Sequence, residues 1–307
     1  MKVSDLTDRD LRGLLHGEGV VICSGPFKFR ILSPIETVAQ GIRLLYADYP
    51  VGAAGEFVDF NIVLERSKGL HRCWHRQVNF CFNGIYPFLP LPVGHAYPLL
   101  EWAMNWCIST QAHHYLMLHS AVIEHDGCAV IMPAPPSSGK STLCAGLVSR
   151  GWRLLSDELA LISLADRLIA PLGRPIGLKN QSIDVIRDFV PGVVFNQVTH
   201  DTSKGSVAHM KVPTAQVRRM NERAEPRWVI FPKYVAGAKA ELTPRSKANS
   251  MLELGRNSFN YMVLGLTGFE VLTDVITASD CYDFRYGQLE DAVTIFDTLA
   301  KAGRYAC

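Results

Sequence analysis

Residues 128–159 read CAVIMPAPPSSGKSTLCAGLVSRGWRLLSDEL. An apolar run enters a Ser/Gly turn, an apolar-faced helix leaves it, and a second short apolar run ends on two acids. Strand, loop, helix and strand in that order are the setting in which a phosphate-binding loop works. The second half of the turn fits G-x-x-x-x-G-K-[ST], and the first half does not. Ala134 stands where the pattern has glycine, and Pro135 and Pro136 follow it. The prolines carry no N–H, so that side of the loop loses donors. Ala134 excludes the positive φ that glycine would permit. The phosphate contacts are therefore expected from Ser137, Ser138, Gly139, Lys140, Ser141 and Thr142, whose N–H groups gather at the positive end of the following helix. Lys140 brings a mobile cation to the outer phosphates, the Ser141 hydroxyl suits Mg²⁺, and Thr142 reaches an inner phosphate. A chance Gly-Lys-Ser in an ordinary turn is the competing reading, and the flanking strand and helix weigh against it.

Asp157 and Glu158 end the next apolar run, WRLLSD. That strand is expected to run parallel to the loop's strand after a right-handed crossover. Ligands of such sheets sit beyond the carboxyl ends of the strands, so both acids face the terminal phosphate. Side chains alternate along a strand, which separates their roles: one holds Mg²⁺ and the other accepts a proton from the attacking hydroxyl. A solvated acidic turn is the plainer alternative.

The stretch HSAVIEHDGCAVIMPAPPSSGKSTLCAGLVSRGWRLLSDELALIS resembles the catalytic domain of bacterial HPr kinase/phosphorylase. His119-Ser120 stands at that family's His-Gly, and Arg150 to Glu158 stand at its R-G-H-R-L-V-x-D-D. The chain is still more similar to the HPr kinase-related kinase (HprK-related kinase A) group, through PAPPSSGKST, GRPIGLKN at 173–180 and SFNY at 258–261. The resemblance covers about residues 115–300. It implies an α/β fold with a P-loop kinase core of the HPr kinase/phosphoenolpyruvate-carboxykinase-like type. It implies ATP and Mg²⁺ as cofactors, a serine on a protein or peptide as acceptor, and a homo-oligomer. It makes Asp157 the base, sets His119 beside it, and gives Mg²⁺ to Ser141 and Glu158. Glu158 replaces the family's second Asp and Ser120 its Gly. The segment tied to phosphatase chemistry is only loosely mirrored at Gly173-Arg174-Pro175. Arg174 there either neutralises phosphoryl charge or pairs within the structure. A nucleotide-binding sensor or scaffold without turnover is the alternative function.

Elsewhere, Thr7 to Asp10 mark a capped helix start. Strands are expected at GVVICSG, FKFRILS and FVDFNIVLER, and helices at ETVAQGIRLLYADY and AYPLLEWAMNWCISTQAHHY. A smaller N-terminal α+β domain, 1–112, is expected to recruit the acceptor or a partner, with the catalytic domain at 113–307. On that division a fragment 113–307 should bind nucleotide unaided. YLMLHSAVIEHDGCAVIMPAP reads as two strands about a turn at 125–127, and LALISLADRLIAPL as a hairpin about Asp166. RWVIFPKYV reads as a buried strand, KNQSIDVIRDFVPG as a helix, and SMLELGRNSFNYMVLG and QLEDAVTIFDTLAKAG as closing helices. NQVTHDTSKGSVAHMKVP reads as a long loop holding Lys204 and His209, open to a lid or substrate role.

The net charge is +2, from 31 basic and 29 acidic residues. That balance argues against nucleic acid or a membrane surface as partner. No apolar run is long enough to span a bilayer, and MKVSDLTDRD is no export signal. A reducing cytoplasm is the expected compartment. Cys128 and Cys144 lie in apolar runs as small core groups. His71, Cys73 and His75, with Cys81, alternate on a strand as a weak zinc set; mixed polar residues on a strand are the plainer reading.

Overall fold

A computed structural model describes residues 1–53, 55–67, 76–135 and 138–303. Thr7 caps the helix Asp8–His16 (α1), its Oγ1 accepting from the Asp10 N–H while the Asp10 carboxylate reaches back. The strands Val20–Ser24 (β1), Phe27–Leu32 (β2), Phe60–Arg66 (β3), Gln77–Cys81 (β4) and Leu91–Pro92 (β5) form one sheet in chain order. β2 and β3 are parallel, joined across the helix Glu36–Leu45 (α2). β2 buries alternate residues, Phe27, Phe29 and Ile31, as a one-sided sheet requires. The helix Ala96–Gln111 (α3) leads out of this sheet and is mostly buried.

The larger sheet has eight strands. Tyr115–His125 (β6) and Cys128–Pro133 (β7) form a hairpin, with Asp126 and Gly127 both at positive φ in its two-residue turn. The helix Lys140–Ser149 (α4) follows β7. Arg153–Ser156 (β8), Leu159–Ser163 (β9) and Ile169–Ala170 (β10) come next. β8 and β9 pair with β6, antiparallel, on the edge away from β7. The expected parallel relation of β8 to β7 therefore holds in direction, but β6 lies between them. Ile176–Lys179 (β11) starts a separate three-stranded sheet and is followed by the helix Gln181–Phe189 (α5). Thr199–Thr202 (β12) and Gly205–Met210 (β13) complete that sheet, in order β11-β13-β12. The segment read as a loop is thus largely paired: Val207, Ala208 and Met210 are buried, and their burial outweighs the polar composition around them.

After Thr214–Val217 (α6), Glu225–Tyr234 (β14) joins β7 in parallel, and Glu241–Pro244 (β15) follows. The closing region is more broken than the single helix expected before residue 265. Lys247–Arg256 (α7), Tyr261–Leu264 (α8) and Leu266–Ala278 (α9) are separate helices, before Asp280–Tyr286 (β16) and Leu289–Gly303 (α10). β7, β14 and β16 run parallel side by side.

All of β7 is buried because both its faces are covered. Val130 and Met132 pack in one apolar cluster with Leu143 of α4 and Phe296 of α10. Ala129 and Ile131 pack in another with Val271 and Val275 of α9. The first cluster also takes in Ile31, Ile42, Leu100 and Met104, so one core runs through residues on both sides of position 112. Among the described residues no helix is long and apolar enough to cross a membrane. Cys144 is a buried free thiol, as read. Cys128 is buried in the core, as read, and is disulfide-bonded.

Candidate phosphate-binding and phosphoryl-transfer site

The carboxyl ends of β7, β14 and β16 converge on the loop. Gly139 sits at φ 88° and caps α4 with no side-chain hydrogen bond. A Cβ there would stand 2.5 Å from the Tyr286 hydroxyl and 2.9 Å from the Tyr234 Cβ. Glycine is therefore required twice, by conformation and by space. The Tyr286 hydroxyl donates to the Gly139 carbonyl (3.0 Å), and the Tyr234 N–H donates to the Ser138 carbonyl (2.9 Å). These bonds fasten the loop to the ends of β16 and β14. Ala134 is buried and is not among the residues at positive φ, so the missing glycine costs the loop no forbidden conformation. Pro136 and Ser137 lie outside the described residues.

A cavity of about 580 Å³ opens over this loop. It is lined by Ser138, Gly139, Lys140, Ser141 and Thr142, and by Asp157, Glu158, His119 and Arg174. These nine residues, all singled out in sequence, thus share one space. Lys140 is 8% exposed, and its Nζ has no hydrogen-bond partner among the described residues. Burial pulls its pKa down, while Glu158 and Asp157 act the other way. A buried ammonium with no partner is costly unless an anion meets it. The uncapped N-terminus of α4 beside it is a position that favours an anion.

β8 stops at Ser156, and residues 157–158 bend. The strand alternation expected to turn the two acids apart does not reach them, and both line the cavity. Their partners still differ. The Asp157 Oδ2 accepts the Gly177 N–H at 2.8 Å. Burial, then the Glu158 charge, raises the Asp157 carboxyl to about 6, against the Gly177 bond. The Glu158 Oε2 accepts from the Asn105 side-chain amide at 2.6 Å.

Arg174 is 4% exposed and is paired with Glu101 at 3.2 Å. Its other terminal nitrogen donates to the Asn105 side-chain oxygen. Glu101 also accepts from the Tyr46 (2.9 Å) and Tyr97 (2.8 Å) hydroxyls. Of the two readings of Arg174, the internal pair is the one formed. Its guanidinium orients the Asn105 amide, and the amide orients Glu158. Glu101 and Asn105 were not singled out in sequence. The available signal was an acid and an amide four residues apart in the apolar stretch 96–108 of the helix, hence on one face.

His119 reaches the cavity from β6. Burial, then Lys140, lowers its imidazole to about 4, so it is neutral at pH 7. Its ring meets Phe259 edge-on at 5.9 Å, and among the described residues it forms no hydrogen bond to Asp157. Lys204 and His209, read as loop residues, also line the cavity, as does Lys179. His71, Cys73 and His75 lie outside the described residues; Cys81 is a free thiol. Among the described residues no three His, Cys, Asp or Glu side chains gather as a metal cluster. Ser141 and Glu158 offer hard oxygen donors, the kind Mg²⁺ takes in ones and twos beside substrate phosphates.

Neither family models nor curated proteins match the chain.

Proposed function

We propose that this chain is an ATP- and Mg²⁺-dependent kinase of the HPr kinase-related type, and that β7, the loop and α4 are the P-loop of an HPr-kinase-like core. Its acceptor on this reading is a hydroxyl, a serine on a protein or peptide. The observation that carries the reading is Lys140: a buried, unpartnered ammonium at an uncapped helix N-terminus, in a cavity that also holds two carboxylates.

Bound Mg·ATP supplies the γ-phosphoryl group, with the metal offsetting charge on the phosphates. Lys140 and the first N–H groups of α4 hold the phosphates, and Ser141 and Glu158 are the oxygen donors for the metal. The acceptor oxygen forms a bond to γ-phosphorus as the bond to the ADP oxygen breaks. Asp157 takes the hydroxyl proton. A carboxyl raised to about 6 is mostly ionised at neutral pH yet basic enough to receive it. Arg174 holds Asn105, and through it Glu158, in place.

The test is γ-labelled ATP incubated with an extract of the source cells. Wild type should label a polypeptide on serine, and Asp157→Asn should label it on the order of 10²-fold more slowly, the scale of a positioned acid–base group. Bound nucleotide with no labelled product would leave the non-catalytic sensor.

A further inference from the structure

A second group of cations lines the cavity on elements separate from the loop. Lys179 ends β11, and Lys204 sits in the turn between β12 and β13. Among the described residues the hydrogen bonds of both run through their backbones, to Ser182 for Lys179 and to Thr202 and Asn180 for Lys204, and neither ammonium has an ion-pair partner. Their positions are built. The Asn180 N–H donates to the Ser206 carbonyl (2.8 Å), and the Ser206 N–H donates back to the Asn180 side-chain oxygen (3.0 Å). Asn180 adopts φ 51° to do so, and a Cβ on Gly205 would stand 2.2 Å from its side-chain oxygen. This clasp ties the Lys204 turn to the end of the Lys179 strand. Lys204 is steadied further by the Trp102 ring, with its Nζ 4.9 Å from the centroid.

Two independent features point the same way. α5 begins here with no side-chain cap, so its first N–H groups are unclaimed by a side chain, and Gln181 and Ser182 line the cavity. His209 lines the same space, is 3% exposed, and its Nδ1 has no partner among the described residues. Two lysines, the N–H groups of Gln181 and Ser182, and an imidazole whose buried Nδ1 has no partner among the described residues together make a setting for a negative group.

We propose that Lys179, Lys204, His209 and the N-terminus of α5 form a second anion subsite, which takes a carboxylate or phosphate of the acceptor close to the hydroxyl that is phosphorylated. It rests on the reading of the Lys140 loop as the nucleotide site, and it narrows the acceptor to a serine flanked by an acidic group.

Calorimetry tests it on the full chain saturated with Mg·AMP-PNP, which fills the loop. Sulfate stands for a phosphate-bearing acceptor and N-acetylaspartate for a carboxylate-bearing one. Loaded wild type should bind at least one of them, and the tighter probe identifies the group. The double variant Lys179→Met/Lys204→Met should bind that probe at least about tenfold more weakly, the scale of a charge-assisted hydrogen bond. Its Mg·AMP-PNP affinity should stay within about threefold of wild type, under 1 kcal/mol. Lys179→Arg/Lys204→Arg should retain the probe. Loaded wild type that binds neither probe overturns the subsite. So does a Met variant that loses Mg·AMP-PNP along with the probe, because the lysines would then serve the nucleotide. Wild type that takes no Mg·AMP-PNP overturns the nucleotide reading itself, and the subsite with it.

Discussion

Two effects disfavour the charged form of Asp157, partial removal from water and the Glu158 carboxylate, and one N–H bond from Gly177 favours it. The balance raises its carboxyl from 3.8 to about 6. If Asp157 is the base, transfer should rise with pH as this group ionises near 6 and level off above it. The same shift has a stability sign. The folded chain keeps a proton that the unfolded chain releases between 3.8 and about 6, so stability falls as pH rises through that window. Asp157→Asn avoids the loss. Its urea midpoint should exceed that of wild type at about pH 7, and the two should converge near pH 4. Equal midpoints at neutral pH would mean that the carboxyl is not perturbed. Asp157 and Lys140 were legible as sequence because loop and strand end lie close along the chain. Their protonation states were not, because those depend on burial by distant residues.

Helices and strands were legible where local signals agreed. The strand at FKFRILS, the turn at 125–127 and the capped helix start at Thr7 to Asp10 all appear as read. The reading failed where a partner elsewhere decides. THDTSKGSVAHM looks like a loop, yet β13 pairing with β11 on one side and β12 on the other makes most of it strand. The break between α7 and α8 is another such place. There the Asn257 carbonyl accepts the His119 N–H, and the Asn260 side chain bonds to β6 at the Met117 N–H and the Tyr115 carbonyl. The site's least legible element is α3, whose Asn105 links Arg174 to Glu158. Asn105→Ala releases the Glu158 carboxylate. The Mg²⁺ concentration needed for half-maximal ATP binding should then rise on the order of tenfold, as for other outer-shell partners of a metal ligand. The melting temperature should fall by a few degrees, because the buried Arg174 guanidinium loses one acceptor. An unchanged Mg²⁺ requirement would mean that the amide does not position Glu158.

Across the whole molecule, the two halves meet through more than apolar packing. The Ser24 hydroxyl donates to the Leu172 carbonyl, the Tyr49 hydroxyl to the Gly173 carbonyl, and Asp48 binds Thr214 (2.8 Å) and Lys211 (3.1 Å). Arg174 has its counter-charge, Glu101, on the far side of position 112. Sequence leads to the expectation that fragment 113–307 binds nucleotide unaided; these contacts lead to the opposite prediction. Without residues 1–112 the fragment would expose the apolar surface now packed against Ile31, Ile42, Leu100 and Met104, and Arg174 would lose Glu101. It should therefore bind a hydrophobic dye and show no cooperative melting transition. A fragment that melts cooperatively and binds Mg·ATP like the full chain would restore the independent domain.

The central claim is that the Lys140 loop holds a nucleotide's phosphates, and calorimetry of Mg·ATP against wild type and Lys140→Ala tests it most directly. Wild type should bind. The variant should bind at least about tenfold more weakly, because one buried charge-assisted contact is gone. Equal affinity for the two proteins would contradict the account.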